Sequence, residues 1–170
     1  MKNILVILLI ASATLSIQSC KKKDTTVNCS NPNMTATAGN TAFKACSAYA
    51  YTIDVFGDSS IGILGQIDAG NLIGFSFTTP NRFAITPGTY QITNGIGASP
   101  AGQPCRVNFV YKEGGTALSN SFNSQTGVLY LTQADGTNFA GTFSGTAKRA
   151  SGSPDIITFS GGSFNVTFKP

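Results

Sequence analysis

The 170-residue chain contains no histidine and no tryptophan. Without histidine, neither a Ser-His nor a Cys-His nucleophile pair can be built, and histidine-based zinc sites are excluded. Without tryptophan, any sugar-stacking role falls to tyrosine or phenylalanine. Charge is scarce as well, at 11% of residues. The net charge of +4 comes mostly from Lys2, Lys21, Lys22 and Lys23 near the start. From residue 25 onward, seven Lys or Arg stand against six Asp or Glu. A body so close to neutral offers no basic face to nucleic acid. No segment carries a convincing helical period. The apolar run from Ile4 to Ala11 is far shorter than the about 20 residues a membrane-spanning helix needs.

The start of the chain has the three-part pattern of a secretory signal, expected to occupy residues 1–19. Met1-Lys2-Asn3 is a short positive region, Ile4 to Ala11 is apolar, and Ser12 to Ser19 is small and polar. Ile17-Gln18-Ser19-Cys20 resembles a lipobox, in the looser form of Bacteroidetes-type lipoproteins, because Gln18 stands where a small residue is commoner. The resemblance implies cleavage before Cys20, lipid on its sulfur, and a membrane as first partner. Two or more acyl chains hold firmly, at about 0.8 kcal/mol per buried methylene. By resemblance to known sorting rules, Lys21 argues against retention in the inner membrane. The near absence of acid after Cys20 favours an outer-membrane lipoprotein facing the periplasm over one displayed on the cell surface.

Residues 20–40 then read as the lipidated cysteine and a flexible tether. They are rich in Thr, Asn, Ala and Lys, with little to repay ordering entropy. A coil of that length reaches roughly 25 Å r.m.s.. Asp24-Thr25-Thr26 resembles an O-glycosylation acceptor of Bacteroidetes-type bacteria, with Thr25 as the modified residue. Residues 41–170 are long enough for one domain with a sizeable core.

That domain is expected to be all-β. Nineteen glycines and twelve phenylalanines suit strands joined by tight turns. Apolar residues alternate at period two in Tyr49, Tyr51, Ile53 and Val55, in Ile61, Ile63 and Ile67, and in Ile73, Phe75 and Phe77. The pattern continues in Phe83 and Ile85, Tyr90 and Ile92, Val107, Phe109 and Tyr111, and Leu129 and Leu131. It ends in Phe139 and Phe143, Ile157 and Phe159, and Phe164, Val166 and Phe168. Pro87-Gly88 and Asp135-Gly136 are turn signals. The expectation is a single antiparallel β-sandwich or a lipocalin-like β-barrel of about 8–10 strands, about nine by direct count.

ITPGTYQI (85–92), GVLYLTQADGTNFAGTFSGTAK (127–148) and ITFSGGSFNVTF (157–168) resemble small Bacteroidetes-type lipoproteins with a β-rich domain of unknown function. The likeness covers roughly residues 40 to 168 and implies the fold alone, since no catalytic residues are defined there.

Cys29, Cys46 and Cys105 remain after Cys20, in an oxidising compartment, so one disulfide is expected. Cys46–Cys105 is preferred because both lie in predicted strands. Cys29–Cys46, which would staple the tether to the first strand, is the rival. No catalytic set, metal site or cofactor is expected. Asp54 and Asp68 are the one carboxylate pair that adjacent strands could join for glycan hydrolysis. Asp135-Gly136-Thr137-Asn138 reads as a hairpin turn rather than a calcium loop. Tyr49, Tyr51, Tyr90, Tyr111 and Tyr130 are assigned to the core or to cross-strand pairs, with a glycan-stacking platform as the lesser reading.

The chain thus reads as a non-enzymatic envelope lipoprotein that presents loops to a protein or glycan partner. The candidate binding loop is Asn94, Gly95, Gly97, Ser99, Pro100 and Gln103, because function concentrates on loops. A lipocalin-like carrier of a small apolar ligand is the alternative, and an Asp/Glu-based glycan hydrolase is the third reading.

Overall fold

The computed structural model describes residues 29–55, 58–68, 70–78, 85–96, 98–115 and 117–170. The signal and Cys20 and Thr25, together with Gly97 and Phe83, lie outside the described residues.

Period-two alternation becomes ten strands. They are β1 (Met34–Ala38), β2 (Thr41–Ala45), β3 (Ser47–Val55), β4 (Asp58–Asp68), β5 (Asn71–Thr78), β6 (Gly88–Ile92), β7 (Arg106–Lys112), β8 (Ser121–Ala134), β9 (Asn138–Arg149) and β10 (Ile156–Thr167). Among the described residues the only helical element is a 3-10 turn at Leu118–Asn120. All ten strands form one sheet, in the order β2-β1-β10-β9-β8-β6-β7-β5-β4-β3. The protein is therefore all-β.

The sheet nearly closes on itself. Ala50 of β3 bridges Phe168, just past β10, in parallel, and the Lys169 N–H donates to the Ala50 carbonyl at 2.7 Å. The result is barrel-like. Its strand order is not sequential, because β6 inserts between β7 and β8. β8 serves both neighbours in turn: Ser121 to Asn123 pair with β7, and Gly127 to Leu131 pair with β6.

The alternating residues of β5, β7, β9 and β10 point inward and fill the centre with rings. Phe75 meets Phe143 at 4.7 Å, Phe109 at 5.6 Å and Phe164 at 6.0 Å between centroids. Phe159 lies 5.0 Å from Phe109 and 5.1 Å from Tyr111. Edge-on and tilted pairs of this kind add about 0.5–1.5 kcal/mol each beyond their burial. Gly127 and Gly145 face each other across β8 and β9, and the Phe109 ring lies 3.4 Å from where a Cβ on Gly145 would stand. Side chains there would displace the ring or spread the strands.

Two expectations are corrected and one alternative is resolved. First, the tether does not run to residue 40. Met34, Ala36 and Ala38 of β1 are buried, and β1 pairs with both β2 and β10. Met34 drops onto Gly65 of β4, where a Cβ would come 2.5 Å from its sulfur. Second, Tyr49, Tyr51 and Ile53 do share a face of β3, but Ala48 and Ala50 are the buried residues. Small inward side chains on β3 let the backbone after β10 approach closely enough to close the sheet. The two tyrosines pair outside at 5.6 Å, the Tyr51 ring lies over Gly62, and Lys169 Nζ sits 4.5 Å from the Tyr49 ring.

Third, the disulfide joins Cys29 and Cys46, with Cα atoms 5.6 Å apart, rather than Cys46 and Cys105. Cys46 occupies the exposed corner between β2 and β3, whereas Cys105 is a buried free thiol at 1% exposure, just before β7. Cys46 is thus committed to Cys29, and Cys105 is left enclosed and unpaired.

A buried serine manages the handover within β8. Its register against β9 shifts between Ser124 and Thr126, where its other edge passes from β7 to β6. Ser124 Oγ accepts from the Phe109 N–H at 3.1 Å and donates to the Thr93 carbonyl. Ser124→Ala leaves both groups unpaired, at an expected cost of about 1–3 kcal/mol. Urea denaturation should show a lower midpoint at unchanged slope. A loss under about 0.5 kcal/mol, the ordinary surface value, would remove this bridging role.

Candidate functional site

The loop from residue 93 to 105 joins β6 to β7, and side chains hold it in place. Gln103 is the clamp. Its Oε1 accepts from the Gln91 N–H, and its Nε2 donates to the Cys105 carbonyl at 3.1 Å and the Gln91 carbonyl at 3.4 Å. The Asn94 carboxamide oxygen accepts from the Ile96 N–H at 3.1 Å, and Thr93 Oγ1 accepts from the Gly95 N–H at 3.3 Å. Gly95 and Gly102 take φ of 79° and 80°, which glycine tolerates best. Ser99 and Pro100 are half-buried, and the Pro100 carbonyl accepts from the Gln103 N–H at 3.0 Å. At the tip, Ile96 is 80% exposed. Ile96 went unnoticed among the predicted loop residues. An apolar residue inside a Gly-rich loop was the available signal.

A second feature lies on the outer wall of β8, β9 and β10. Val128 and Tyr130 of β8 point outward there, 38% and 51% exposed. Tyr130 stands opposite Thr142, Val128 opposite Ser144, and Thr142 opposite Ser163. These side chains line a groove of about 360 Å³, together with Phe143, Gly161 and Gly162. The groove opens where β10 bulges: the register shifts between Phe159 and Gly162, and Gly161 takes φ of 58°. Of the tyrosines assigned to the core or to cross-strand pairs, Tyr90 and Tyr111 are buried, and Tyr130 stands on the surface opposite Thr142.

The strand register does not bring Asp54 and Asp68 together. Asp54 pairs with Ser59 and Asp68 with Asn71, so the register places the two aspartates at opposite ends of β4. Asp68 accepts from the Gly70 N–H at 2.7 Å and from Asn71 Nδ2 at 2.9 and 3.0 Å, which shapes the β4–β5 turn. Asp135 accepts from the N–H groups of Asn138 at 2.7 Å and Thr137 at 2.9 Å, and from Gln133 Nε2 at 2.8 Å. Those bonds, the Asn138 one foremost, hold its carboxyl down at about 2. Both of its oxygens are thus engaged in the β8–β9 hairpin. Asp155 is held below the usual carboxylate range by Ser153 and then by Arg149, to which it is paired at 2.9 Å. Among the described residues no group of three or more His, Cys, Asp or Glu is placed to hold a metal.

Burial pushes the Cys105 thiol up to about 11, which keeps it protonated and a poor nucleophile at neutral pH. Tyr111 is raised by burial and by its hydrogen bond to Glu113 at 2.9 Å.

Comparison with family models, with curated proteins and with solved structures returns no match for this chain.

Proposed function

We propose that this protein is a non-enzymatic binding module of the cell envelope, anchored by lipid on Cys20, which presents the β6–β7 loop to a protein partner. The observation that carries the reading is Ile96, 80% exposed at the tip of a loop whose base is fixed by Gln103. A rigid loop loses little entropy on binding, and a projecting apolar side chain is the kind of anchor that fills a partner's pocket. The inward rings support an outside surface over an internal ligand site, since phenylalanines occupy the space a carrier keeps for its cargo. On β8 and β9 the inward side chains are apolar and the outward ones mostly polar, apart from Val128 and Tyr130, which is the reverse of a transmembrane barrel.

The outer membrane, on its periplasmic side, is the location this reading assigns. The disulfide ties Cys29 to the body, so nine residue steps separate the anchored Cys20 from it. Fully extended, such a stretch reaches about 30 Å at most.

The test is capture from a detergent extract of the source envelope on beads carrying the chain, with crosslinking to identify what is held. Ile96→Asp is expected to weaken capture of that protein about tenfold or more while the melting temperature stays unchanged. Equal capture by the variant would discard the loop as the contact surface.

A further inference from the structure

We propose that the outer groove on β8–β10 is a binding site for a neutral saccharide. This surface is distinct from the β6–β7 loop and does not depend on that loop's role.

The groove is built by the fold rather than left over from it. Gly161 and Gly162 form the bulge in β10, and neither brings a side chain to the outer face there. Inside, a Cβ on Gly162 would come 2.6 Å from the buried Phe143 ring, so the core holds the bulge to glycine at that position. Its volume is about 360 Å³, and the groove is open to solvent along the sheet face.

Its chemistry narrows the ligand. Tyr130 and Val128 supply an exposed apolar wall. Thr142, Ser144 and Ser163 supply hydroxyls, and Tyr130 adds a fourth. Among the described residues, the Tyr130 hydroxyl makes no hydrogen bond. Ser163 is steadied by Thr35, hydroxyl to hydroxyl at 2.9 Å. Tyr130, Thr142 and Ser163 stand in one row across three strands, and with strands about 4.8 Å apart the row spans roughly 10 Å.

No charged side chain lines the groove. An anionic ligand would find no cation and a cationic ligand no carboxylate. A purely apolar chain would have to desolvate the hydroxyls without replacing their hydrogen bonds, which costs free energy. A pyranose satisfies both halves of the site. It has a face of C–H groups to lay on the Tyr130 ring, and a rim of hydroxyls that both donate and accept.

The probe is an array of short neutral oligosaccharides, gluco-, galacto- and manno-linked, with sulfated and uronic-acid oligosaccharides beside them. The full chain is used, purified in a detergent without a sugar head group. Binding to neutral members is expected, followed by titration calorimetry on the best of them. Tyr130→Ala should weaken that binding about tenfold or more, and Tyr130→Phe by no more than about twofold, because stacking survives loss of the hydroxyl. Ser144→Arg, which fills the groove from an exposed position, should block it, and Ile96→Asp should leave it unchanged. Each variant's melting temperature is checked against wild type. Silence across the neutral members overturns the proposal, and so do preference for the charged ones and binding that survives both Tyr130→Ala and Ser144→Arg.

Discussion

Phe75→Ala is expected to lower stability by about 3–5 kcal/mol, the range for removing a buried phenylalanine. Phe75 is 2% exposed, on β5. Its ring touches Phe109 of β7, Phe143 of β9 and Phe164 of β10. β7 is β5's neighbour, whereas β9 and β10 lie four and five places away in the sheet order, so one side chain ties together walls that meet only across the interior. Its removal forfeits the transfer free energy, three ring contacts and the packing around a cavity that neighbouring rings, each held by its own strand, cannot easily fill. Domains of this kind are stable by about 5–15 kcal/mol in all, so a large share is at stake. Urea denaturation followed by circular dichroism should show the midpoint fall steeply. A loss below about 1.5 kcal/mol, the upper range for volume-conserving core swaps, would mean that the rings do not form the continuous cluster described.

Cys46→Ser is expected to cost about 3 kcal/mol, from the entropy of closing a loop across 17 residues in the unfolded chain. Reduction of the wild-type protein should lower its urea midpoint to the same value. The Cys105→Ser variant should leave the reducible increment intact, because Cys105 is a free thiol. A midpoint indifferent to reductant would show that the Cys29–Cys46 pair does not constrain the folded body. Loss of the increment in Cys105→Ser would restore the Cys46–Cys105 pairing.

Most of the strand pattern was legible because period two is a local property. The faces of β5, β7, β9 and β10 follow directly from Phe75, Phe109, Phe143 and Phe164, and the β8–β9 turn follows from Asp135-Gly136. β1 was not legible because Met34, Ala36 and Ala38 are small or flexible, and the threonines between them suit a tether as well as a strand. Which face of β3 turns inward was also hidden. Tyr49 and Tyr51 outweigh Ala48 and Ala50 in any hydrophobic sum, yet closing the sheet at Ala50 needs the small residues inside. The disulfide depended on tertiary position, since nothing near Cys105 in the chain announces that it is sealed in the core.

The two candidate surfaces differ in the same way. Composition alone marked the β6–β7 loop, with its glycines and prolines. The groove depends on one extra residue in β10 and on which neighbours then face outward. Gly161-Gly162 within a strand pattern was the available sign of a bulge. Without the register of β8 and β9, it did not point to Tyr130.

The position of the disulfide also bears on durability against proteases. The loop it closes contains the whole β1–β2 hairpin, whose turn at Gly39 and Asn40 is exposed. A single cut at that turn would break the backbone without parting the molecule. The segment upstream of the cut would stay joined to the rest through sulfur, as well as through the β1–β10 ladder. A nicked chain would run as one species on a gel without reductant and as two with it, and the barrel would keep its moorings after losing the continuity of its chain.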